Sequence, residues 1–113
     1  MELQFTTMDN DIRLIKLTGK MDNVGTGEME TKFTGYCAGE KVRVIVDLSE
    51  VDFLSSIGVR LLTRTAKFVV NHGGKMVLIN PILSVNNVLE VSGIPEIIPV
   101  YYYLESAETI LLA

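Results

Sequence analysis

Two adjacent serines, Ser55 and Ser56, with Gly58 two positions further on, are the residues whose types and spacing bear most directly on chemistry. They follow an apolar, alternating run and open a stretch of helical spacing, so they fall where a helix begins. A hydroxyl there has two uses. It can cap the helix, the most frequent role of serine at that position, or it can accept a phosphoryl group. A catalytic role requires a partner that the chain does not supply. His72 is the only histidine, and it stands beside a predicted helix C-terminus, where imidazolium meets the dipole favourably. The G-x-S-x-G elbow, the glycine-rich phosphate loop, G-x-G-x-x-G and metal-spaced Cys/His clusters are all absent. Asp47, near the end of the same apolar run, has the type of a phosphoacceptor. The first strand, however, ends in Thr6-Thr7-Met8, without the carboxylates that would hold a metal beside it. The sequence predicts no enzyme, no cofactor and no metal.

Phosphorylation is physically reasonable at Ser56. A helix N-terminus has unpartnered N–H groups and carries about +0.5 of a charge, so it tolerates an anion. A phosphate would add about -1.5 to -2 charges to an exposed rim without breaking the core. Gly58 fits either use, since it lowers helix propensity but lets backbone or a partner approach closely. Arg60, Arg64 and Lys67 lie at i, i+4 and i+7 of the same helix. They form either a solvated face or a basic flank that steers an acidic partner toward the serine.

The elements that position these residues are legible in outline. Val42, Val44, Val46 and Leu48 alternate with Ile45 on the opposite face, which predicts a central strand covered on both sides. A short connection would lead to a helix striped by Ile57, Leu61, Leu62, Ala66, Val69 and Val70 and closed at His72-Gly73-Gly74. Upstream, Leu3 and Phe5 mark a first strand, Asp9-Asn10-Asp11 a turn, and Ile12 to Thr18 a second strand ended by Gly19. Asp22 or Asn23 caps a first helix, with Met29, Phe33, Tyr36 and Cys37 on its apolar face and Gly39 at its stop. Downstream come a strand from Met76 to Ile79 and a helix capped by Asn80, with Pro81 at its first position. That helix buries Ile82, Val85, Val88 and Leu89 and closes at Gly93 and Pro95. A strand through Ile97, Ile98, Val100 and the tyrosines follows, placed at the edge by Pro99. The last element is a helix bearing Ala107, Ile110 and Leu111. The order ββαβαβαβα predicts an α/β fold: one largely parallel sheet of about five strands, an antiparallel first neighbour, and about four helices packed against it.

Composition limits the rest. The 113 residues, 48% hydrophobic, make one domain with a real core. A net charge of -4 argues against nucleic acid as a direct partner. No apolar run approaches the roughly 20 residues of a membrane span. The opening Met-Glu-Leu-Gln-Phe lacks the basic start and apolar core of a signal peptide. Cys37 is the single cysteine, which fits a reducing compartment. A cytoplasmic protein without membrane insertion is expected.

In order and spacing, four segments resemble the STAS domain, the family of bacterial anti-sigma factor antagonists. They are Leu17-Thr18-Gly19-Lys20-Met21-Asp22; Val44-Ile45-Val46-Asp47-Leu48-Ser49 with Val51-Asp52-Phe53; Ser56-x-Gly58; and Leu89-x-x-Ser92-Gly93-Ile94. The resemblance covers almost the whole chain, 1–113, as a single STAS domain. It implies that Ser56 is phosphorylated by a partner serine kinase that is itself an anti-sigma factor. It also implies that Asp22 and Asn23 lie on the rim near that partner, and the expected contact surface is Asp22, Asn23, Ser55, Ser56, Ile57 and Gly58, with Arg60 from the basic flank. Ser55 stands where the family usually has aspartate and Ile57 where it has serine or threonine, which makes Ser55 a competing phosphate acceptor. The implied function is an antagonist that, when unphosphorylated, sequesters the kinase and frees a sigma factor. The alternatives are a STAS subunit supporting a membrane lipid or anion transporter, or a constitutive scaffold in a stress-signalling assembly. Fold alone does not separate these readings.

Overall fold

The computed structural model describes all 113 residues. Its strands are β1 (Glu2–Thr7), β2 (Ile12–Met21), β3 (Arg43–Leu54), β4 (Lys75–Ile79) and β5 (Val100–Tyr101). The helices are α1 (Asn23–Tyr36), α2 (Ser56–Asn71), α3 (Leu83–Val91) and α4 (Leu104–Leu112), with single 3-10 turns at Asp9–Asp11 and Ile94–Glu96. The five strands form one sheet in the order β1-β2-β3-β4-β5. β1 runs antiparallel to β2, and every later pair is parallel, as the order of elements predicts.

Side-chain alternation on β3 divides the core in two. Val44, Val46 and Leu48 face α1, α2 and α3, joining Met29, Phe33, Leu61, Leu62, Val85 and Leu89 in the larger cluster. Ile45 faces the other way, into a smaller cluster with Ile12, Val77, Ile79 and the α4 residues Ala107 and Leu111.

The chief departure from the sequence reading is the length of the two central strands. β3 does not stop at Leu48 but continues to Leu54, and β2 continues through Gly19 to Met21. The register explains why. Lys16 pairs with Asp47 and Thr18 with Glu50; Gly19 then pairs with Val51 and Lys20 with Phe53. At each step β3 carries one residue more than β2, so two bulges bend it. Buried residues therefore recur as Leu48, Val51 and Leu54, every third residue rather than every second. The alternation that marks a strand is lost there, and Asp47 lies mid-strand with its carboxylate accepting from the Ser49 amide at 2.9 Å.

Smaller corrections concern helix ends and faces. α1 stops at Tyr36, with Cys37 as C-cap, before Gly39 is reached. α3 begins at Leu83 with Ile82 as N-cap, because Asn80 takes a left-handed φ of 56° that cannot open a helix there. Ile82 is accordingly exposed, not part of the buried face. Val70 is 59% exposed, and the buried stripe of α2 includes Gly58 and Thr65 instead. Ile97 and Ile98 precede the last strand, which is confined to Val100–Tyr101. The α2 terminus follows expectation. Gly73 adopts φ 79°, and the amides of Gly73 and Gly74 donate to the carbonyls of Val70 and Val69 at 3.0 and 2.9 Å, closing a Schellman motif. His72 Nδ1 lies 2.8 Å from the Phe68 carbonyl.

Cys37 is 1% exposed, and burial pushes its thiol up from 9.0 to about 12. The folded state therefore holds a proton that the unfolded chain releases. This contribution is complete below pH 9.0 and is lost as pH rises toward about 12. Stability measured by denaturant titration should fall through that window, and Cys37→Ala should flatten the slope while lowering stability at neutral pH. In the native protein, a thiol reagent at pH 8 should label Cys37 only after denaturant is added.

Candidate switch surface at the carboxyl ends of the central strands

β2 and β3 end side by side, with Met21 paired to Leu54, and each gives way directly to a helix. Asp22 caps α1: its carboxylate accepts from the Gly25 amide at 2.7 Å. Ser55 caps α2: its hydroxyl oxygen lies 3.4 Å from the Gly58 amide. The two helix N-termini therefore stand on neighbouring strands, whose axes are about 4.8 Å apart. Each opens with the same pattern of a cap, two residues and a glycine. Both glycines are needed for close packing. A Cβ on Gly25 would run into the Lys20 carbonyl. On Gly58 it would come within 2.7 Å of Leu54 Cδ1 and 3.0 Å of Met21 Cβ.

The two serines have different surroundings. Ser55 is partly buried, and both its amide and its hydroxyl donate to the Met21 carbonyl, at 3.0 and 2.6 Å. This ties the start of α2 to the end of β2. Ser56 occupies the first helical position and is exposed. Ser55 is thus the structural hydroxyl and Ser56 the accessible one.

Around Ser56 the structure gathers Asn23 on the exposed start of α1, with Asp22 half-buried behind it, and Ile57 half-buried beside it. Arg60 lies one turn along α2, and a shallow groove on that helix is bordered by Ser56, Arg60, Thr63, Arg64 and Lys67. The expected basic ridge is present but not uniform. Arg64 Nη2 is held by Glu30 of α1 at 3.2 Å, whereas Arg60 and Lys67 make no ion pair. Sequence reasoning missed Val24 and Phe53, exposed by 72% and 48% at the same end of the sheet. It also missed Gly25. The repeated spacing Asp22-x-x-Gly25 and Ser55-x-x-Gly58 was the available signal for that glycine. Lys20 and Asp52 meet at 4.0 Å on this rim, both largely exposed, a pair worth little to stability. No group of carboxylates, thiols and imidazoles gathers anywhere to hold a metal ion, and no helix is long and apolar enough to cross a membrane.

With this geometry in place, comparison with known proteins defines the class. The family model described as the STAS domain matches residues 6–107, and the chain belongs to that family. BtrV of Bordetella bronchiseptica, whose name assigns it provisionally to the anti-sigma factor antagonists, is 30% identical over 91 residues, 80% of this chain and 78% of that protein. Among solved structures, an anti-sigma-factor antagonist (STAS) domain protein from Planctomyces limnophilus superposes with a TM-score of 0.86 at 20% identity, covering 98% of both chains. An anti-sigma factor antagonist from Mycobacterium paratuberculosis gives 0.82 at 21% identity, over 99% of this chain and 96% of that one.

Substitutions should separate the structural residues from the accessible one. Ser55→Ala removes a cap and the bond to Met21, and should cost about 1–2 kcal/mol. Ser56→Ala should stay within about 0.5 kcal/mol of the parent. Gly25→Ala and Gly58→Ala should both destabilise, by about 1–3 kcal/mol, although alanine is the better helix former. Gly25→Ala should be the worse, because the obstructing atom is backbone. Urea denaturation of the four variants supplies the comparison.

Proposed function

We propose that this chain is an anti-sigma factor antagonist, a binding module whose partner is an anti-sigma factor serine kinase and whose switch is phosphorylation of Ser56. Family membership and relatives named as antagonists support the role. The single observation that carries the switch is the exposed Ser56 hydroxyl on the first turn of α2, beside a serine already committed to capping.

The unmodified rim is a mixed surface that a partner can desolvate. Asn23, Ser56 and Arg60 offer hydrogen bonds, and Val24, Phe53 and Ile57 offer apolar area. Phosphate on Ser56 changes the binding balance more than the folding balance. For folding, the helix dipole favours an exposed anion by about 0.3–1 kcal/mol. Arg60, four residues on, is spaced to pair with it. The net charge of -4 opposes this weakly, so stability should change by less than about 1 kcal/mol. For binding, a partner that covers Ser56 must instead bury a dianion, and an unpaired charge at an interface costs about 2–5 kcal/mol.

The test uses the serine-kinase anti-sigma factor of the same organism that binds the purified chain. With ATP, phosphate should map to Ser56, and Ser56→Ala should abolish incorporation. Calorimetric affinity of the Ser56-phosphorylated chain should be about 30-fold or more weaker, at 1.4 kcal/mol per decade. Its melting temperature should shift by no more than a few degrees. Unchanged affinity would contradict the switch and favour the scaffold role. Phosphate on Ser55 would contradict the assignment.

A further inference from the structure

The sheet has two edges, and only one is protected against pairing. β5 contributes two residues and is preceded by Pro99, so it offers little to an incoming strand. β1 is six residues long, Glu2–Thr7, with no proline, lysine, arginine or glycine and no bulge against β2. These are the features whose absence leaves an edge open to another chain.

The hydrogen-bond parity shows which groups are available. β1 and β2 pair with Glu2 opposite Thr18, Gln4 opposite Lys16 and Thr6 opposite Leu14, and the Met8 amide donates to the Ile12 carbonyl at 2.7 Å. Antiparallel pairs alternate, so the even-numbered residues bond to β2. The amides and carbonyls of Leu3, Phe5 and Thr7 therefore point away from the sheet. On the inner face, Leu3 and Phe5 are only half-buried at the margin of the main core, where Phe5 stacks on Tyr36 at 4.1 Å. Gln4 and Thr6 on the outer face are exposed.

We propose that β1 pairs antiparallel with β1 of a second copy of this chain, making one continuous sheet across a two-fold axis. Self-complementarity favours a second copy over an unrelated strand. The only charge in β1 is Glu2, at one end, so an antiparallel partner sets it opposite uncharged residues from the far half of the strand. Beside the edge, α1 presents Glu28 and Lys32, one turn apart, on a shallow groove shared with Met1, Leu3 and Gln4; Glu28, about half exposed, also holds the Met1 ammonium at 2.9 Å. A two-fold axis through β1 brings each copy's Glu28 toward the other's Lys32. The half-exposed Leu3 and Phe5 of both strands would then cover one another. This contact is independent of the switch reading, because Ser56 lies at the carboxyl end of β3, two strands inward. Each dimer would present two switch surfaces.

Sedimentation velocity of the full chain from about 1 to about 500 µM tests the proposal, over a range that resolves weak to moderate association. The mass should rise from 12.5 kDa toward twice that value. Gln4→Lys/Thr6→Lys puts like charges across the two-fold and should raise the half-association concentration about tenfold or more. Gln4→Glu/Thr6→Glu should do the same, and an equimolar mixture of the two variants should restore association. Circular dichroism and melting verify the fold of each. Should Lys16, opposite Gln4, make the double lysine variant unstable, Thr6→Lys with Thr6→Glu repeats the comparison. A wild type that stays monomeric throughout overturns the proposal. So does association that neither charge pair weakens, or weakened association that mixing does not restore.

Discussion

The Met21 carbonyl accepts both the amide and the hydroxyl of Ser55, and through those bonds the last residue of β2 fixes the first turn of α2. Everything at the switch end depends on this junction. It forms only because β3 is bulged and long enough to bring Leu54 level with Met21. It leaves no room for a side chain at Gly58, whose absent Cβ lets α2 settle against Met21 and Leu54. The same construction recurs one strand away, where Asp22 caps α1 over Gly25. Two rigid helix starts thus share one rim.

Such a rim suits a reversible charge. The helix supplies the field that tolerates an anion, Ser55 provides the cap, and Ser56 lies outside the core. Ser55 in place of the family's usual aspartate keeps the capping oxygen. It also adds a hydroxyl donor that aspartate lacks, and that donor is engaged by Met21. Phosphoryl transfer to Ser55 would have to break this bond. Transfer to Ser56 breaks none.

Much of this was readable beforehand. The apolar alternation of Val42 to Leu48 and the changed spacing after Ser55 placed Ser55 and Ser56 at a helix start, and the order of elements placed the sheet. Where legibility failed, two chemistries competed. Bulges turned Ser49 to Leu54 from a period of two into a period of three, so strand read as connection. Asn80-Pro81 carries the signature of a helix start, yet the left-handed Asn80 made it a turn before α3. Val70 satisfied helical periodicity yet is 59% exposed, although Val69 beside it is fully buried. The pairing of the two caps was invisible because it depends on register between strands far apart in sequence. Arg64 and Arg60 are equivalent by spacing alone, and only the fold brings Glu30 of α1 to Arg64.

Ser55 holds the start of α2 through the Met21 carbonyl, while the exposed Ser56 is free to change. Placing phosphoserine genetically at each position in turn, and melting the two proteins beside the unmodified chain, tests it most directly. Phosphate at position 56 should leave the melting temperature within about 5 °C of the parent. At position 55 it sets a phosphate ester against the Met21 carbonyl, and should lower the midpoint by about 10 °C or more, equivalent to about 2 kcal/mol. Equal melting temperatures for the two phosphoproteins, or a larger loss at position 56, would contradict it.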